Sequence, residues 1–192
     1  MRKNSGITQQ YIDNMYTMYP IHLVVKIGDD EDMIIQNVNW LLQVGANIES
    51  RDYLGMTPLM FAVGNKQERV IEQLLNAGAN IEAKDDEGWT SLIYACQGGK
   101  ERMVEQLLNA GANVEAKNMA GWTPLMHAAV NELEIVVEQL ISAGADMEVE
   151  DNDGWTSLMH AVQCGCEEMI EQLLQAGAKN KVREGQTPLP YT

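Results

Sequence analysis

The residues with the most chemical potential in this 192-residue chain are three cysteines, Cys96, Cys164 and Cys166, and the histidines His127 and His160. His160 and Cys164 stand four apart, one helix face, and Cys166 follows in the next turn. Nitrogen and thiolate ligands at such spacing suit zinc. A closed structural zinc site takes four ligands, though, and only Glu167 is near enough in sequence to complete this set, so neither a metal nor another cofactor is expected. A nucleophilic thiol or hydroxyl would need a base beside it and a third group to orient that base. His127 and His160 stand 33 positions apart, as members of a series and not as one unique base. The glycines are spread along the chain instead of clustering into a phosphate loop. No catalytic residue is expected, and the chain does not read as an enzyme.

The spacing of 33 governs the rest of the sequence. Gly55, Gly88, Gly121 and Gly154 recur at that step, as do Thr57, Thr90, Thr123 and Thr156. A second glycine, followed by Ala-Asn or Ala-Asp in most copies, falls at Gly45, Gly78, Gly111, Gly144 and Gly177. Within the copy 84–116, Asp85-Asp86-Glu87-Gly88 reads as a turn, with a side chain able to bond its own backbone and a glycine free to take positive φ. Thr90 reads as a helix N-cap, and Pro58 and Pro124 suit the first helical position in their copies. A short apolar helix should end at Gly98-Gly99. A second should begin near Lys100, with Met103, Val104, Leu107 and Leu108 on one face, and close on Gly111 in a left-handed conformation. Neither helix is long enough to hold in water alone, so the copies must stack and bury each other's apolar faces.

Asp52-Tyr53-Leu54-Gly55-Met56-Thr57-Pro58-Leu59 and Asn118-Met119-Ala120-Gly121-Trp122-Thr123-Pro124-Leu125, with Leu74-Leu75, Leu107-Leu108, Leu140-Ile141 and Leu173-Leu174 downstream, closely resemble the ankyrin repeat over about nine-tenths of the chain. The resemblance implies an all-α repeat solenoid, a stack of helix-turn-helix units joined by β-hairpin-like fingers. On this alignment residues 1–19 form an N-terminal extension and 20–50 an atypical capping repeat. Full repeats follow at 51–83, 84–116, 117–149 and 150–182, and 183–192 is a truncated repeat start or tail. The histidine that usually follows Thr-Pro-Leu is replaced by Met60, Ile93, Met126 and Met159, so its hydrogen bond cannot be assumed. In the first copy the second helix should be longer, from Asp30 to Gln43. In the last, Met159, Val162, Met169 and Ile170 look like interior positions that the tail or a second chain must cover.

Composition narrows the partners. With 28 acidic and 13 basic residues the formal charge is −15, which repels phosphate backbones and anionic membranes. The longest uncharged run, Met33 to Ile48, carries Gln36, Asn37, Asn39 and Gln43 and is too polar to span a bilayer. Three sparse cysteines make no disulfide framework, and the first residues lack the apolar core of a signal peptide. These features point to the cytoplasm or another intracellular compartment, including a host cell if the chain is delivered there.

The resemblance makes the chain a non-catalytic interaction scaffold, an adaptor or inhibitor that binds a partner protein of basic and apolar character. Met56, Trp89, Trp122 and Trp155 each follow a turn glycine, which in the family lies on the finger facing the concave groove. Tryptophan suits such a place because its flat face buries much area at small entropic cost, although each ring could instead pack on its neighbouring finger. The finger set is completed by Tyr53, Leu54, Asp86 and Glu87, and by Met119, Asn152 and Asp153. The short-helix ends Asn65, Gln97, Asn131 and Gln163 match places from which the family also contacts partners. Glu82, Glu115 and Glu148 read as a ladder for solubility and steering. A monomer is expected, and self-association through an uncovered C-terminal repeat is the alternative.

Overall fold

The computed structural model describes residues 20–27 and 30–179, so the segments 1–19 and 183–192 lie outside the described residues. The chain divides into two compact units, one ending at Asp86 and the other beginning at Glu87. The first unit holds α1 (Pro20–Ile27), α2 (Glu31–Gln43), α3 (Pro58–Gly64) and α4 (Glu68–Asn76). The second holds α5 (Ser91–Gln97), α6 (Glu101–Asn109), α7 (Pro124–Val130), α8 (Glu134–Ser142), α9 (Ser157–Cys164) and α10 (Glu167–Gln175). Asp30, expected as the first residue of α2, is its N-cap and accepts the Asp32 amide at 3.0 Å. Among the described residues there is no strand; the fingers are turns.

Within each unit the first helix of a copy packs on the first helix of the next: α1 on α3, α5 on α7 and α7 on α9. Second helices do the same, α2 on α4 and α6 on α8. The repeated apolar positions face these contacts. Ile34, Val38, Leu41, Leu59, Ile71 and Leu74 are buried in the first unit, and Leu92, Val104, Leu107, Leu125, Val137, Leu140, Leu158 and Leu173 in the second. Each such side chain contributes about 1.5–3 kcal/mol of burial. Met159, Met169 and Ile170 are also buried and Val162 is half-buried.

The helix starts are built as the threonines suggested. Thr57, Thr90, Thr123 and Thr156 accept the amides of Met60, Ile93, Met126 and Met159 at 3.3–3.4 Å. The missing histidine has a substitute in two copies. Met60 Sδ accepts the Thr57 amide at 3.3 Å, and Met126 Sδ accepts the Thr123 amide at 3.5 Å. A thioether thus closes the capping box with a weak acceptor, a bond that could not be assumed from the sequence alone.

Two sets of ties join neighbouring copies. In the fingers, the Asp86 amide donates to Leu54 O, the Met119 amide to Glu87 O and the Asn152 amide to Ala120 O, at 3.0–3.1 Å. In the opposite loops, Glu49 Oε1 accepts the Asn80 amide, Glu115 Oε1 the Asp146 amide and Glu148 Oε1 the Lys179 amide, at 2.7–2.8 Å. Glu115 and Glu148 were expected to be free charges for solubility and steering. They are instead charge-assisted links between consecutive copies, because their side chains just span to the next loop's backbone.

Two backbone positions recur with positive φ for different reasons. At Gly121 (φ +81°) an added Cβ would stand 2.7 Å from the Asn152 amide nitrogen, so the next finger's approach requires glycine. In the inter-helix turns Lys66 (φ +59°) and Glu132 (φ +55°) adopt the conformation that Gly99 and Gly165 hold in the other copies. Lys66→Gly removes about 1–2 kcal/mol of left-handed strain and loses part of that to unfolded-chain entropy, so it should stabilise by about 0.5–1 kcal/mol. Gly121→Ala combines strain with a backbone clash and should destabilise by at least about 2 kcal/mol. Urea denaturation of the two variants checks the pair, with the midpoint rising for the first and falling for the second.

Candidate functional site

The turn aspartate or asparagine sets each finger. Asp52 Oδ1 accepts the Leu54 and Met56 amides, Asn118 Oδ1 those of Ala120 and Trp122, and Asp151 Oδ1 those of Asp153 and Trp155, all at 2.8–3.0 Å. This local bonding fixes where the residue after the turn glycine points. In the second unit that residue is always tryptophan, and the three indoles enter one continuous ring stack. Trp89 packs on Tyr94 and His127, with centroids 5.1 and 4.6 Å away. Trp122 packs on His127 and His160 at 5.1 and 4.3 Å, and Trp155 on His160 at 5.3 Å. His127 and His160 are each therefore held between their own copy's tryptophan and that of the copy before. All three indoles are half-buried.

The two histidines use Nε2 in opposite roles. Asp151 Oδ2 lies 2.7 Å from His160 Nε2, so that nitrogen carries a proton. In the preceding copy Asn118 has its Oδ1 committed to two amides, and its NH₂ faces His127 Nε2 at 3.3 Å. There Nε2 must accept, which demands a neutral imidazole. Burial pushes the His127 pKa down from 6.5 to about 4, and His160 adds to that. Burial works to raise the Asp151 pKa. The Trp155 amide, His160 and the Asp153 amide together outweigh it and hold the carboxyl below its ordinary value.

The expected contact residues fall in two places. Tyr53, Leu54, Met56, Asn65 and Asp86 belong to the first unit. Tyr53 is 83% exposed and Leu54 50%, while Met56 is half-buried. Asp86 pairs with Arg51 at 3.6 Å on the surface, and Asn65 Nδ2 donates to Val25 O at 3.0 Å. The second unit carries Glu87, Trp89, Gln97, Met119, Trp122, Asn131, Asn152, Asp153, Trp155 and Gln163. Met119 is 72% exposed, and Glu87, Gln97, Asp153 and Gln163 are exposed as well. Asn152 Nδ2 donates to Met119 O at 2.7 Å and Asn131 Nδ2 to His127 O at 2.8 Å, so both amides serve their own scaffold.

His160, Cys164, Cys166 and Glu167 do not gather round a point. His160 is engaged by Asp151, and Cys166 donates to Glu132 Oε1 at 3.3 Å. Among the described residues no three His, Cys, Asp or Glu side chains form a group that could hold a metal ion. No described helix is long and apolar enough to cross a membrane. Sequence reasoning missed the interleaving of His127 and His160 with the indoles. Its signal was present as a turn Asn or Asp followed nine residues later by histidine, in two successive copies.

The neutral His127 has a consequence in acid. The unfolded chain takes up a proton near pH 6.5 and the folded chain only near pH 4, so between those values the unfolded state binds more protons. Stability should fall as pH drops through that window, by about 3 kcal/mol in all. Asn118→Asp gives the imidazolium an acceptor and should shrink the loss. Thermal melts of both proteins from pH 7.5 to pH 4 check this, and identical acid limbs would refute the assigned tautomer.

Comparison with known proteins agrees with this architecture. The family model for ankyrin repeats, three copies long, matches residues 3–85, 21–118, 60–151 and 92–184 in overlapping placements. No curated protein matches the chain significantly. Repeats of this kind are in general protein–protein interaction modules, typically without catalysis, and no catalytic domain is evident in the matched chain. With its 33-residue period, its stacked helix pairs and a family match over most of its length, the chain belongs to the ankyrin-repeat family.

Proposed function

We propose that this chain is an adaptor or inhibitor that captures a partner protein on its finger-and-first-helix surfaces and acts by occupancy. The observation that carries this reading is the exposure of apolar finger tips beside acidic groups. Tyr53 and Leu54 stand out in the first unit, where the Asp86 amide bonds Leu54 O, and Met119 stands out in the second, where Asn152 bonds its carbonyl. Asp86 and Asp153 are exposed on the fingers that follow. A partner that fits offers Lys or Arg next to apolar side chains, in keeping with the formal charge of −15.

The stack changes how the tryptophans enter this proposal. Tilted against His127 and His160 and half-buried, Trp122 has less surface left for a partner, and its main service is to hold the finger rigid. A pre-ordered tip loses less entropy on binding. Self-association has less support, because of the four apolar side chains it relied on, Met159, Met169 and Ile170 are buried and Val162 is half-buried.

Affinity capture followed by titration of the captured protein tests the assignment. Tyr53→Ala, Leu54→Ala and Met119→Ala together should weaken binding at least about thirtyfold with the melting temperature unchanged. Trp122→Ala should lower binding and melting temperature together. Undiminished binding by the triple variant would remove the finger tips from the contact surface.

A further inference from the structure

The last inter-helix turn differs from its counterparts in a way that partner binding does not use. The residues either side of the positive-φ position are Asn65 and Gln67, Gly98 and Lys100, and Asn131 and Leu133 in three copies, but Cys164 and Cys166 in the fourth. Cys164 ends α9 and is exposed. Cys166 is the N-cap of α10 and is buried. The two cysteines flank one residue of a single turn, Cys164-Gly165-Cys166, and Cys164 is among the groups that act on the Cys166 thiol. Gly165 between them has a φ of +76° and open space where a Cβ would be. Cys166 also binds its neighbour. Its Sγ donates to Glu132 Oε1 in the preceding copy's turn, much as Gln67 Nε2 donates to Val25 O in the first unit.

We propose that Cys164 and Cys166 form a reversible redox site, oxidised by a small-molecule disulfide to an internal disulfide that frees Glu132 from its sulfur donor. The Cys164 thiolate attacks one sulfur of the small disulfide, whose S–S bond breaks, and one half leaves as a thiolate that takes up a proton. Cys166 then loses its proton to solvent and attacks the Cys164 sulfur of the mixed disulfide, expelling the second half. Two protein thiols are oxidised and one small disulfide is reduced to two thiols. Closure is the slow step, since burial first, and then the Glu132 carboxylate and Cys164, push the Cys166 pKa up to about 11. Cys166 lines a cleft of about 330 Å³ whose walls include Glu132, Glu134, Glu167 and Glu168, so a cationic disulfide is favoured over an anionic one. Cys96 takes no part, because it is buried in α5 and burial holds its thiol far above the ordinary range.

Treating the full chain with cystamine, alkylating free thiols under denaturing conditions and mapping peptides by mass tests the site. The expected product carries Cys164 and Cys166 joined within one peptide, lighter by two hydrogen atoms, with Cys96 alkylated, and dithiothreitol restores both thiols. Cys164→Ser should abolish it. Glu132→Gln, checked for folding by circular dichroism, should speed closure about threefold or more by easing formation of the Cys166 thiolate. A mixed disulfide at Cys164 that never closes in either protein, or a disulfide between chains, overturns the proposal. Closure no faster in Glu132→Gln overturns the role given to that carboxylate.

Discussion

First helices of seven or eight residues and second helices mostly of nine fall below the length at which a helix persists in water. Within each unit they survive by laying apolar faces against the matching element of an adjacent copy, and nearly every recurrent residue serves that requirement. Leucines and valines fill the shared core, and threonines cap the helices that carry them. Glycines let the next finger's backbone come close. Glu49, Glu115 and Glu148 reach across to the following loop. Stability in such a structure is the sum of neighbour-to-neighbour terms, so a residue matters by what it does for the adjacent copy.

The ring stack of the second unit extends that logic to its fingers. A finger bound to its neighbour by one backbone hydrogen bond would be a loose arm. Alternating tryptophan and histidine adds aromatic contact at each step, worth about 0.5–1.5 kcal/mol beyond area burial. The exchange of Asn118 for Asp151 at equivalent positions then decides the protonation of the histidine above it, giving one copy a neutral accepting ring and the next a donating ring. Two nearly identical repeats thereby use the same ring nitrogen in opposite ways. Rigidity gained here serves the apolar tips beyond, which meet a partner already ordered.

Much of this was legible in the sequence because the repeat aligns equivalent residues. The period, the helix pairs, the threonine caps and the buried leucines all follow from comparing copies. What comparison cannot reveal is which residue of the next copy a side chain meets. The partner of Trp122 is His160, and the partner of Glu115 is the Asp146 amide, contacts that depend on the stagger between copies. For that reason the tryptophans could be read either as facing a partner or as packed on the neighbouring finger, and the glutamates read as a ladder for solubility and steering. The methionine sulfurs of the capping box were hidden differently, since nothing about Met60 or Met126 marks it as an acceptor until the rotamer is seen.

The central claim is that consecutive copies are coupled through the interleaved rings. A double-mutant cycle on Trp122→Ala and His160→Ala, read from denaturant unfolding, measures that coupling most directly. The stack predicts an interaction energy of about 0.5–1.5 kcal/mol, the two losses together being smaller than their sum. Losses that add to within about 0.3 kcal/mol would mean that the rings sit side by side without supporting each other.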